Sequence, residues 1–274
     1  MTRTLKDLNL CDDFLFYFVM QEPELVTGLL ELTLDLPGRI EKIEYLEGEK
    51  TLKNGYTGKG VRLDVYVRTD NLTVYNIEIQ QRRKRSLAKR SRKYQSSIDV
   101  EILKKGEDYD KLKPQYIIFI CTFDPFDRNL WRYTFSNKCH EDNTLALGDE
   151  TTKVFLNTRG NMAGASKEMC EFLWFLEHSS PQEAAKAESL FVRSLSEKVE
   201  QVKESEEMGG MFMTFEDKLK DLQWEYEDML AEKDAEIKAL KEAQAASKKE
   251  MAELLRKQGV SEDIIRAVTG ECSE

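Results

Sequence analysis

Two segments, VRLDVYV (61–67) and TVYNIEIQ (73–80), decide how the chain folds. Strand side chains alternate between faces, so Val61, Leu63, Val65 and Val67 share one side of the first segment. Tyr75, Ile77 and Ile79 do the same in the second. Asp70 and Asn71 are turn formers between them, which makes the pair an antiparallel hairpin. Requiring both apolar sets to lie on one side restricts the register, and its simplest choice sets Leu63 against Ile79, Val65 against Ile77, and Asp64 opposite Glu78. Carboxylates opposed on neighbouring strands repel each other. A solvated sheet face screened by Arg62 would tolerate that repulsion, and so would a bound cation. Hard oxygen donors at this spacing suit Mg²⁺. Gln80 projects from the same face as Glu78, and the Ile79 carbonyl offers one more oxygen.

Downstream of the hairpin, residues 82–93 hold Arg82, Arg83, Lys84, Arg85, Lys89, Arg90, Arg92 and Lys93 with no acid among them. The whole chain has 51 acidic and 41 basic residues, a formal net charge of −10, which alone would argue against a nucleic-acid partner. Binding is decided by local patches, however, and this run is a candidate phosphate contact. Its ordinary alternative is the solvated start of a helix. Residues 86–105 form that helix, with Leu87, Tyr94, Ile98 and Ile102 on one stripe and Gly106 as a stop. Next, QYIIFICTF (115–123) is a continuous apolar run of β type, the pattern of a buried central strand. Shorter strands are expected at 131–135 and 153–157, and two helices at 12–20 and 22–34. The order of elements is that of a mixed α/β layer fold.

No apolar run reaches the length of a membrane span. The N-terminus has no secretory pattern, and the five cysteines are scattered, so the expected setting is the cytoplasm. Near residue 180 the composition turns charged and helical. Three parts are expected: a domain at 1–180, a helical linker at 181–210, and a tail at 211–274. Gly209 and Gly210 are expected to interrupt the helix before a long one from Phe215 to Lys257. Tyr226, Leu230, Ile237, Leu240, Met251 and Leu254 fall at heptad a and d positions, interrupted by Lys233, Gln244 and Ser247. That pattern fits a coiled coil joining copies of the chain, or a single helix lying on the main domain. A short helix follows Ser261 and ends at Gly270.

Several strings resemble one family. RLDVYV and YNIEIQ, the basic stretch, RKYQSSIDVEILKKGEDYDKL (92–112) and QYIIFICTFDPF (115–126) are similar to the Rpn recombination-promoting nucleases, also described as PD-(D/E)xK nuclease family transposases. CDDFLFYFVMQEPELVTGLLELTL (11–34), YTFSNKC (133–139) and TTKVFLNTRG (151–160) extend the likeness over roughly residues 8–178. The resemblance implies a restriction-endonuclease-like core of mixed sheet flanked by helices, with Mg²⁺- or Mn²⁺-dependent hydrolysis of double-stranded DNA. By that match Asp64 and Glu78 are the metal-holding acids and Gln80 stands where the general pattern has lysine. Glutamine can orient a water but brings no charge; Arg82 or Lys84 would be the substitute cation. Asp13 or Glu24 on the first helices would add a supporting carboxylate, and Tyr94 and Gln95 would line the cleft. The competing expectation is a DNA-binding or regulatory protein that keeps the fold but turns over weakly or not at all.

Overall fold

The computed structural model describes residues 3–34, 36, 39–40, 42–52, 61–83 and 85–270. Its centre is a six-stranded sheet in the order β1-β2-β3-β4-β6-β5. The strands are β1 (Ile43–Leu52), β2 (Val61–Thr69), β3 (Val74–Gln80), β4 (Gln115–Cys121), β5 (Arg132–Phe135) and β6 (Thr151–Asn157). β1, β2 and β3 are antiparallel, β3, β4 and β6 are parallel, and β5 closes the far edge antiparallel to β6. β4, the strand without polar alternation, lies between two parallel neighbours, where both faces are covered.

Helix α3 (Leu87–Ile102) connects β3 to β4, as a parallel pair requires. Its buried residues Leu87, Ser91, Tyr94, Ser97 and Ile98 follow the helical repeat. They join Tyr66, Val74, Ile117, Phe119 and Phe155 in one apolar cluster. Val61 and Leu63 belong to this cluster too, although strict alternation would set them on the side away from Tyr66. β2 therefore departs from simple alternation beyond Val65, where its ladder with β3 ends.

α1 (Asp13–Val19) and α2 (Pro23–Thr33) start and stop close to the expected positions, with Pro23 in the first turn of α2. β1 was not expected. Its sequence, IEYLEGEKTL, hides the alternation behind charges that an edge strand can carry into solvent. Gly48 has a packing reason: a Cβ there would stand 2.3 Å from Cε2 of Tyr17.

The chain divides into two compact units, Met1–Phe212 and Met213–Glu274. The first includes α4 (Lys167–Glu177), α5 (Pro181–Ala184) and α6 (Leu190–Glu204). Residues 181–210, expected as a linker, lie within this unit. Val192, Leu195, Val199 and Val202 of α6 are buried, and Lys198 pairs with Glu22 of the α2 entry. α7 runs from Glu206 to Lys257 without a break. Gly209 and Gly210 do not interrupt it, because a glycine in a helix interior costs only about 1 kcal/mol and the long flanking segments outweigh it. In the second unit Ile265 of α8 (Glu262–Thr269) and Ala252 are both buried, and Arg256 Nε lies 2.7 Å from Glu262 Oε1. Among the described residues, no helix is long and apolar enough to cross a membrane.

Candidate active site

The β2–β3 ladder runs from Val65↔Ile77 to Arg68↔Val74 in the register derived from alternation. At the next step side chains take over from the backbone. Asp64 N–H donates to Glu78 Oε1 at 3.2 Å, and Ile79 N–H donates to Asp64 Oδ2 at 3.1 Å. Where the hairpin opens, two backbone donors lose strand partners, and each carboxylate satisfies one on the opposite strand. Asn76 Nδ2 also donates to Glu78 Oε1, at 3.0 Å. The second oxygen of each carboxylate carries no hydrogen bond among the described residues.

A solvated sheet face was one expectation for these residues, and burial overturns it. Glu78 is 1% exposed, Gln80 4% and Asn76 0%. α3 covers them: its Tyr94 ring stacks on Phe119 of β4, 6.0 Å between centroids. From the same helix Arg90 reaches inward. Its Nη1 donates to Gln80 Oε1 at 2.9 Å, its Nη2 donates to the Tyr94 hydroxyl at 2.5 Å, and Nη2 lies 3.7 Å from Glu78 Oε2. Arg90 is thus the cation that α3 brings beside the acids. Arg82 is exposed after β3, and Lys84 lies outside the described residues.

The electrostatics follow from this burial. Desolvation, and then the charge of Asp64, raise the Glu78 carboxyl well above the ordinary carboxylate range. Its hydrogen bonds from Asn76 and the Asp64 N–H, and the Arg90 charge, offset only part of that. Burial, followed by the charge of Asp13, raises Asp64 in the same direction. Asp13 stands at the first position of α1. Its placement is set by β3: Gln81 Nε2, just after that strand, donates to Cys11 O at 2.8 Å and Asp12 Oδ1 at 2.9 Å. Glu24 lies exposed in the first turn of α2. Gln95 is half-buried on α3.

Burial of Glu78 and partial burial of Asp64 disfavour their charged forms, and the charges of Arg90 and Arg62 offset only part of that. The Asn76 Oδ1 is also buried with no partner. This all-oxygen donor set fits a hard divalent cation such as Mg²⁺ or Mn²⁺. Among the described residues no third His, Cys, Asp or Glu completes a ready-made cage, so water or substrate oxygens would supply the remaining ligands. The Ile79 carbonyl already accepts from Gln80 Nε2 at 2.7 Å.

The basic run divides by surroundings. Arg82, Arg85 and Lys89 are exposed. Arg83 Nη2 is tied to Asp127 Oδ2 at 2.5 Å and to Asp124 O at 3.2 Å. Sequence reasoning placed Arg90 with this run and missed its inward role. The signal was present: Arg90 falls three residues after Leu87 and four before Tyr94, on the stripe that faces the sheet. Asn76 and the Gln81 tether gave no such signal.

A mixed α/β sheet whose opened hairpin holds a carboxylate pair has the arrangement of a nuclease-type hydrolase. The chain belongs to the PD-(D/E)XK nuclease family transposases, whose family profile matches residues 12–239. No curated protein and no solved structure matches it.

Proposed function

We propose that the protein is a Mg²⁺- or Mn²⁺-dependent endonuclease that hydrolyses phosphodiester bonds of double-stranded DNA, in the setting of recombination, mobile elements or defence. The observation that carries this reading is the pair Asp64 and Glu78, each bonded through one oxygen to the facing strand's backbone, with the second Glu78 oxygen 3.7 Å from the Arg90 guanidinium. Asp64 and Glu78 would hold the ion, with Asp13 as supporting acid. A bound divalent ion would polarise the phosphate and acidify a coordinated water.

The protein's own groups do the rest. Gln80 has both amide ends engaged, so it serves as a positioning residue that fixes Arg90. Arg90 brings the positive charge that Gln80 lacks. It cannot lose a proton, so it acts on the negative charge of the transition state and not as a base. Tyr94 holds the other side of the guanidinium, and Gln95 lines the helix flank. Arg82, Arg83, Arg85 and Lys89, with Lys84 in the same run, contact DNA phosphates, which anchor the duplex without reading its sequence. The test is plasmid cleavage in Mg²⁺ or Mn²⁺. The parent should nick or linearise the plasmid, and Asp64→Ala and Glu78→Ala should not. Cleavage by Asp64→Ala at the parent's rate would sink the assignment.

A second reading rests on the same saturated glutamine. A Gln80 that cannot release its partners cannot orient a water, and a DNA-binding protein with little turnover would result. It predicts salt-dependent binding with no cleavage in any divalent metal.

A further inference from the structure

A second concave site lies in the first unit. It is a cavity of about 460 Å³ walled by Tyr45 and Lys50 of β1, Tyr66 and Arg68 of β2, and Lys104 and Lys113 beyond α3. On a chain with net charge −10, these four cations plus Lys111 surround it, with Glu101 as the one acid among its described lining residues. Pairing consumes part of that charge: Lys50 lies 3.4 Å from Glu47, and Lys111 is 2.8 Å from Glu107. Arg68 and Lys113 have no ion pair among the described residues.

The cavity also offers flat surfaces. Tyr45 is 37% exposed, and the Arg68 guanidinium lies 5.8 Å from its ring centre. Lys50 Nζ sits 4.6 Å from the Tyr45 ring centre and 4.3 Å from that of Tyr66. An aromatic face beside unpaired cations is the chemistry that accepts a base and its phosphate. A base stacked inside a duplex has no free face to offer, so the fitting occupant is an unpaired nucleotide.

Position connects this cavity to the acid pair. Asp64 and Arg68 lie four residues apart on β2, so Arg68 stands about 13 Å from Asp64 along the strand. α3 runs over both, with Arg90 near the acids and Glu101 at the cavity.

We propose that this cavity binds an unpaired nucleotide of the DNA strand whose phosphodiester lies at Asp64 and Glu78, so that the preferred substrate carries a single-stranded segment beside a duplex. The proposal rests on the nuclease reading for the strand's path. Its test uses binding alone, on metal-free protein. A fluorescent blunt duplex, the same duplex with a short single-stranded tail, and adenosine monophosphate are titrated against the full chain. The tailed duplex should bind about tenfold tighter than the blunt one. Arg68→Glu and, separately, Lys113→Glu should erase that preference and leave blunt-duplex affinity within about twofold, and Tyr45→Ala should weaken the tailed duplex alone. Equal binding of the two duplexes by the parent overturns the proposal. So does loss of both affinities together in the variants, or tight saturable binding of the mononucleotide with no tail preference, which would mark a free-nucleotide site. Cleavage failing while tail preference persists would count against the nuclease reading only. Cleavage without tail preference would remove only the cavity's role.

Discussion

Glu78 shows how one residue can be poor for stability and good for chemistry. Its folded-state pKa is raised, so folding favours its protonated form. The stability from that form is complete below the ordinary carboxylate range and is lost as pH rises through the raised folded value. The metal-free protein should therefore melt lower at about pH 9 than at about pH 5, and millimolar Mg²⁺ or Mn²⁺ should narrow the gap. Scanning calorimetry at the two pH values, with and without metal, checks this; a flat profile without metal would contradict the charge frustration. Glu78→Gln keeps the acceptor for Asn76 and the Asp64 N–H but removes the charge. It should stabilise the metal-free protein at alkaline pH by at least about 1 kcal/mol while abolishing metal-dependent cutting. Arg90→Ala should lower the cleavage rate about a hundredfold and change DNA affinity by no more than one phosphate contact would. Unchanged single-turnover rates would remove Arg90 from the chemistry.

At the scale of elements, α3 does three jobs with one sequence. Leu87, Tyr94 and Ile98 bury its inner face, Arg90 delivers charge to the acids, and Arg85 and Lys89 near its start stay in solvent. That economy explains why a basic stretch can be read as a phosphate contact and still hide a site residue. α7 offers a cleaner test of local preference. A Cβ on Gly209 or Gly210 would meet nothing within 4 Å, and neither glycine has the positive φ that would strain another residue. Gly209→Ala and Gly210→Ala should each raise helix stability by about 0.5–1 kcal/mol, read by thermal unfolding. Destabilisation would show that the pair serves a bend or a contact in solution.

For the whole molecule, the second unit sets a separate question. Tyr226, Leu230, Ile237, Leu240, Met251 and Leu254 of α7 are all at least 46% exposed, an apolar series at heptad spacing. We propose that it pairs with the same segment of a second copy. The full chain should sediment as an oligomer, and Leu230→Glu with Ile237→Glu should return it to monomer without loss of metal-free DNA binding per chain. Monomeric parent protein at micromolar concentration would refute this.

Alternation in VRLDVYV and TVYNIEIQ restricted the hairpin register, because a one-residue slip would turn every apolar side chain to the wrong side, and the simplest remaining choice is the one the ladder shows. The apolar run 116–121 likewise marked the central strand, since a strand covered on both faces shows no polar alternation. The opposed acids followed from the register alone. Tertiary structure decided whether those acids were wet or buried, because that depends on α3 folding over them. It also decided that Arg90, and not a residue nearer Gln80 in the chain, stands beside them. β1 and the packing of residues 181–210 were decided at that level too: edge charges and amphipathic helices gain their positions from neighbours that local patterns do not contain.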